Sequence, residues 1–306
     1  MLVNLNKILP KARKQRYAVG AFNTSNLEIT QAIIRAAEKK HSPVIIATSE
    51  KAIAYAGIEH ISQIVTTMAA RTEIPVVLHL DHGRSLEIVK YCIQNNYSSV
   101  MIDASHLSFK DNVNLTKKIV RYAHKHNISV EAEIGRLAGI EDTISVAQKE
   151  AIYTDPKEAE RFARETACDA LAIAIGTSHG AYKFKSKPQL RIDILKSIAD
   201  RIKIPLVLHG ASSVKIRWIN RLNRYGGEIN KARGVPDRLI QQAVRSGIAK
   251  INTDTDLRMA FTAGLREHLS THPDDFDPRA SIGHARDMIE QVVKDRISIF
   301  GSQNQA

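Results

Sequence analysis

The sequence predicts an α/β protein, a (β/α)8 TIM barrel, on three observations. Eight short apolar segments alternate with stretches of helical periodicity along 306 residues. The length suits one barrel domain spanning residues 1–306. Each apolar segment also ends on polar side chains, as barrel strands do at the end that carries chemistry. A doubly wound open sheet lacks support, because no GxGxxG opens a helix after the first apolar segment.

In order, the expected strands are 18–24, 43–49, 76–83, 99–105, 129–135, 170–177, 205–212 and 249–256. β-Branched and aliphatic residues dominate them, as in Val76-Val77-Leu78 and Val44-Ile45-Ile46. Between them apolar residues recur at steps of three and four, as at Ile29, Ala32, Ile33 and Ala36. Residues 136–155 are polar and weakly periodic and read as a long loop after strand five. Residues 214–238 read as a second excursion after strand seven, broken by Gly226-Gly227 and Gly234-Val235-Pro236. Met288, Val292, Val293 and Ile297 form an apolar stripe that predicts a C-terminal helical extension over 281–299.

Composition narrows the function. The chain is 43% hydrophobic with no apolar run near the 18 residues of a membrane span. Its N-terminus, Met-Leu-Val-Asn-Leu-Asn-Lys, lacks a signal-peptide pattern, and Cys92 and Cys168 are the only cysteines. A cytoplasmic protein without disulfides is expected. The net charge of +12 includes a cluster from Lys215 to Arg238. With no DNA- or RNA-binding motif, that cluster reads as solvated surface or as steering for a phosphorylated substrate, and no nucleic acid is expected.

Three strands end in His-Gly: His82-Gly83, His179-Gly180 and His209-Gly210. One such histidine is ordinarily a hydrogen-bonded packing residue, and eight further histidines besides His79 are scattered without pattern. Three at strand ends point to imidazoles converging on a metal ion, for which zinc is suited. His79 reads instead as part of an interior barrel layer. Asp81, beside a proposed ligand, is positioned either to move a substrate proton or to orient an imidazole. Glu131 and Glu133 alternate along a strand and share a face, so they need a cationic partner; Asp103 and Glu133 offer an alternate or second metal position, with a structural ion-pair network the other reading. The loops His209-Gly210-Ala211-Ser212-Ser213 and Ile251-Asn252-Thr253-Asp254-Thr255-Asp256, with Gly180 and Lys183, offer the small residues, hydroxyls and cation of a phosphate site.

The motifs LHLDHG (78–83), VEAEIG (130–135), AIGTSHGAYKF (174–184), LHGASS (208–213), INTDTDLR (251–258) and DPR (277–279) stand in one order and spacing. With them the chain resembles, nearly end to end, the class II metal-dependent fructose-1,6-bisphosphate aldolases. The resemblance implies Zn2+ on His82, His179 and His209, with Asp103 and Glu133 as an alternate metal position. It implies Asp81 as the acid/base and Glu141 as a mobile proton donor. Gly180, Lys183, Gly210, Ser212, Asn252, Asp254 and Thr255 would surround the dihydroxyacetone phosphate end, with a monovalent cation such as Na+ or K+ near its phosphate. Arg258 and Arg279 would hold the other phosphate, the latter from a neighbouring subunit of a homodimer or homotetramer, and Asn23 and Ser49 would line the aldehyde side. The segment Val214-Lys215-Ile216-Arg217 departs from the family in being more basic. A tagatose-1,6-bisphosphate aldolase and a zinc-dependent TIM-barrel hydrolase are the competing activities. Asp254-Thr255-Asp256-Leu257-Arg258 favours the fructose enzymes.

Overall fold

A computed structural model describes residues 1–136, 139–141, 144–146, 152–178 and 189–306, the backbone alone at 139–141 and 144–146. Eight parallel strands close into a barrel: β1 (Val19–Asn23), β2 (Val44–Thr48), β3 (Val76–Gly83), β4 (Ser99–Ile102), β5 (Ser129–Ile134), β8 (Ala170–Ile173), β9 (Leu206–Leu208) and β10 (Ile248–Thr253). Closure is made by β1 on β10, with Val19 opposite Lys250 and Phe22 opposite Thr253. The expected strands are all present. Several stop earlier than the sequence suggested, so Asp103 and His209 sit on the first residue beyond β4 and β9, where the chain turns into the rim.

The barrel interior changes character from bottom to top. At the lower end Val19, Ala21, Ile45, Val77, Ala170, Ala172 and Val207 pack together, closed off by Leu5, Ile8, Leu9 and Ala12 from the N-terminal segment that includes α1 (Leu9–Gln15). The period of two then carries β3 from Val77 through His79 to Asp81, and β5 from Ser129 through Glu131 to Glu133. Apolar layers thus give way to titratable ones, toward the end where barrels do chemistry.

The two expected excursions contain structure. Within 136–155, β6 (Gly139–Glu141) and β7 (Ile144–Val146) pair as an antiparallel hairpin. The 214–238 segment begins with the helix α9 (Ile216–Arg224), whose Trp218, Ile219 and Leu222 are buried; its many basic residues mask that short apolar face in the sequence. The C-terminal helix α12 runs Pro278–Phe300, capped by Asp277, which accepts from the Arg279 N–H at 2.9 Å.

Candidate active site

Asp81 and His82 are adjacent, and in a regular strand they would point to opposite faces. The register between β3 and β4 shifts here: Leu80 faces Val100, yet Gly83 faces Ile102, so β3 carries one extra residue. His82 takes a left-handed backbone, φ 51°, to absorb it. The bulge brings both side chains to one site, with His82 Nε2 and Asp81 Oδ1 4.0 Å apart. Gly83 is required for this, because a Cβ there would lie 2.8 Å from the Met101 carbonyl oxygen and 2.6 Å from Leu80 Cδ2.

The His82 and His209 rings meet edge to face with centroids 4.5 Å apart. Donor atoms of Asp81, His82 and His209 lie within 4.8 Å of one another, as do those of His82, Asp103 and Glu133. That is near the spread set by donors about 2.0–2.3 Å from one ion. Imidazoles and carboxylates, nearly all buried, make a donor set that fits a divalent transition metal. Asp103 also orients His82: its Oδ2 lies 2.9 Å from Nδ1, while its Oδ1 accepts from the backbone and hydroxyl of Ser105 at 3.1 and 2.7 Å. Burial opposes ionisation of Asp103, but His82 and Ser105 outweigh it and hold the carboxyl below its ordinary range.

His209 spans two carboxylates, with Nε2 2.8 Å from Glu131 Oε1 and Nδ1 3.1 Å from Glu133 Oε2. Burial and the charge of His82 push it down, but those two carboxylates prevail and raise it to about 9. Glu133 moves the other way, raised by burial and by Asp103. Glu131 is opposed by burial but lowered by Lys250, whose Nζ lies 2.8 Å from Oε2. Lys250 is the cation that the sequence reading of Glu131 required without naming. It lies two residues before Asn252 on β10, a spacing that puts both on one face.

From Lys250 the network continues to the centre. Nζ donates to Asn252 Oδ1 at 2.8 Å, Asn252 Nδ2 donates to Asp81 Oδ1 at 2.8 Å, and Asn23 Nδ2 donates to Asp81 Oδ2 at 3.0 Å. Both Asp81 oxygens are therefore fixed by amides, one from each of the adjacent strands β1 and β10.

Beside this centre a cleft of about 390 Å³ is lined by Asn23, Ser49, Asp254 and Arg258, which the sequence singled out, and by Lys51 and Tyr55, which it did not. Ser49 caps α3 (Glu50–Ala56), accepting from Ala52 N–H at 3.4 Å. Arg258 pairs with Asp254 at 2.8 Å on α11 (Thr255–Thr271), which Thr255 begins. Ser212 accepts from the Asp254 N–H at 3.4 Å, joining the loops after β9 and β10. Asp256, which the sequence offered only as part of its motif, secures the same loop by accepting from Ser213 and Val214 N–H at 2.9 and 2.7 Å. Gly210, at φ 61°, allows the Ser178 carbonyl oxygen within 2.6 Å of where a Cβ would stand. Arg279 is 90% exposed and its hydrogen bonds go to Asp277. His179, Gly180 and Lys183 lie outside the described residues, as does the side chain of Glu141.

A closed (β/α)8 barrel with buried imidazoles and carboxylates gathered at its rim defines a metal-dependent barrel enzyme. Residues 3–305 match the family described as "Fructose-bisphosphate aldolase class-II". The chain is 50% identical over 306 residues to a fructose-bisphosphate aldolase of Thermus caldophilus, covering 100% of both. It is 47% identical over 305 residues to one of Helicobacter pylori strain 26695, covering 99% of each. Among solved structures it is similar to the YdjI aldolase of Escherichia coli K12, with TM-score 0.81, 32% identity and 100% of both chains covered. The chain belongs to the class II fructose-bisphosphate aldolase family, a metal-dependent family of aldehyde-lyases.

Proposed function

We propose that this enzyme cleaves fructose 1,6-bisphosphate reversibly to dihydroxyacetone phosphate and glyceraldehyde 3-phosphate, as a step of glycolysis and gluconeogenesis in the cytoplasm. The observation that carries the reading is Asp81, held at both oxygens by Asn23 and Asn252 beside the His82–His209 pair. Its carboxylate is the base that takes the C4 hydroxyl proton during cleavage and returns it during condensation. His82, His179 and His209 are the residues that would hold zinc, with Asp103 and Glu133 as an alternate position. When bound, the ion supplies a Lewis acid for the negative charge that develops on the three-carbon fragment.

Phosphate recognition falls to the two sides of the rim. Gly180, Lys183, Gly210, Ser212, Asn252, Asp254 and Thr255 are assigned to the three-carbon end, with Na+ or K+ near its phosphate. Arg258 is assigned to the other phosphate, joined by Arg279 of a second subunit in a homodimer or homotetramer, while Asn23 and Ser49 line the aldehyde side. Glu141 is assigned the proton transfer to the three-carbon fragment. The test is a rate comparison on fructose and tagatose 1,6-bisphosphates with zinc-loaded enzyme. Faster cleavage of the fructose substrate is expected, and faster cleavage of its C4 epimer would overturn the assignment.

A further inference from the structure

The positive run from 215 to 238, conspicuous in the sequence, is largely neutralised where it is helical. Lys215 pairs with Asp237 and Asp295, Arg217 with Asp295, and Arg221 with Glu267. Uncompensated charge collects instead at the opposite end of the barrel from the active site. There a cavity of about 730 Å³ lies between α1, the end of α8 (Ile192–Arg201) and the end of α10 (Asp237–Arg245). Arg13, Lys14, Arg16, Lys196, Lys203 and Arg245 line it, against one acid, Asp200. None of the six is in an ion pair among the described residues.

Two of these cations are built in rather than loose. Arg13 donates to the carbonyls of Ala199, Ile202 and Ile204, the first at 2.9 Å, and so satisfies the C-terminal end of α8. Arg16 ends α1 in a left-handed conformation, φ 60° and ψ 41°, that most side chains avoid, and donates to the Arg245 carbonyl at 3.3 Å. Burial and, after it, the neighbouring Arg16 charge pull the Arg13 guanidinium below its ordinary value. The other lining residues are Pro10, Ala199 and Ser246, none of them aromatic, so a nucleobase has nothing to stack on.

We infer that this basal cavity is a binding site for a compact anion carrying two or more phosphate groups, recognised through its phosphates alone. Lys14, Lys196 and Lys203 supply mobile point charges around the fixed guanidinium of Arg13. The site is separate from the catalytic end, so its occupant need not be a substrate.

The test is calorimetric titration of zinc-loaded enzyme with trimetaphosphate, a cyclic triphosphate that chelates metals weakly, and with Mg-ATP. Saturable submillimolar binding is expected, weakened on raising salt. K14E/K203E should bind at least tenfold more weakly at unchanged aldolase activity, and the milder K14A/K203A at least threefold. R224E/R233E, of equal charge change, and R258A should bind within twofold of the native enzyme. ATP should bind no tighter than trimetaphosphate. Affinity unaltered in K14E/K203E, equal loss in R224E/R233E, loss in R258A, or markedly tighter ATP would each overturn the inference.

Discussion

Lys250 Nζ and Glu131 Oε2 meet at 2.8 Å inside the barrel, both wholly shielded from solvent. The pair ties the site together, since Glu131 also contacts His209 and Lys250 also holds Asn252, which in turn holds Asp81. Removing one member of such a pair leaves a buried charge and costs about 3–5 kcal/mol. Lys250→Met is expected to lower stability by that amount in urea denaturation and to reduce kcat by loosening Asn252. K250M/E131Q should recover about half of the lost stability, because the orphaned charge is gone. Additive losses in the double variant would show that the two residues do not act as a pair.

Asp81 has two possible uses, as the proton carrier or as a ligand, because its oxygen belongs to the same group of close donors as His82 and His209. Asp81→Ala separates them. The expected outcome is full metal occupancy by elemental analysis with kcat reduced about 10²–10⁴-fold. Loss of the metal together with activity would make Asp81 a ligand.

Much of this was legible in the sequence because barrel chemistry is periodic. Val77, His79 and Asp81 lie two apart and face inward together, so both the fold and the placement of Asp81 follow from counting. The bulge that brings His82 round to the same side breaks that count, and only the residue pairing with β4 reveals it. Lys250 escaped notice because a lysine inside an apolar strand gives no local hint of its partner, which lies 119 residues away on β5. The helix α9 was hidden for the opposite reason, its basic residues outweighing three buried apolar ones.

His79 gives the fold a defined acid limit. It is fully buried, 2.8 Å from Ser99 Oγ, and burial, followed by the charge of Lys250, lowers its pKa to about 3. The unfolded chain binds a proton near pH 6.5 that the folded protein refuses, so stability falls as pH drops below 6.5, down to about 3. This one group should remove roughly 2 kcal/mol between pH 7 and 5. His79→Asn should lose correspondingly less over that interval in denaturant titrations, and an identical pH slope would mean that His79 is not the responsible group.

Gly83 is the hinge of the bulge. An alanine Cβ would press on the Met101 carbonyl oxygen at 2.8 Å, a backbone atom that cannot rotate away. Gly83→Ala is expected to cost about 1–3 kcal/mol of stability. Because His82 precedes it, weaker metal retention on dialysis should follow. Native stability and metal retention would show that the bulge tolerates a side chain.

Chelation and reduction together distinguish metal chemistry from imine chemistry. A lysine that forms an imine must present its nitrogen to a substrate carbonyl. Among the described residues Lys250 is the buried lysine of the barrel strands, and its Nζ is engaged by Glu131 and Asn252, leaving it no approach for a ketone. In the proposed mechanism the charge on the three-carbon fragment is met instead at the cluster of His82, His209 and their carboxylates, whose donor atoms could hold a metal ion. Incubation with EDTA should abolish cleavage, and zinc or cobalt should restore it. Borohydride added with substrate should leave activity intact and produce no mass shift on any lysine peptide. Activity surviving in chelator, or a reduced lysine adduct, would place the electron sink on a lysine.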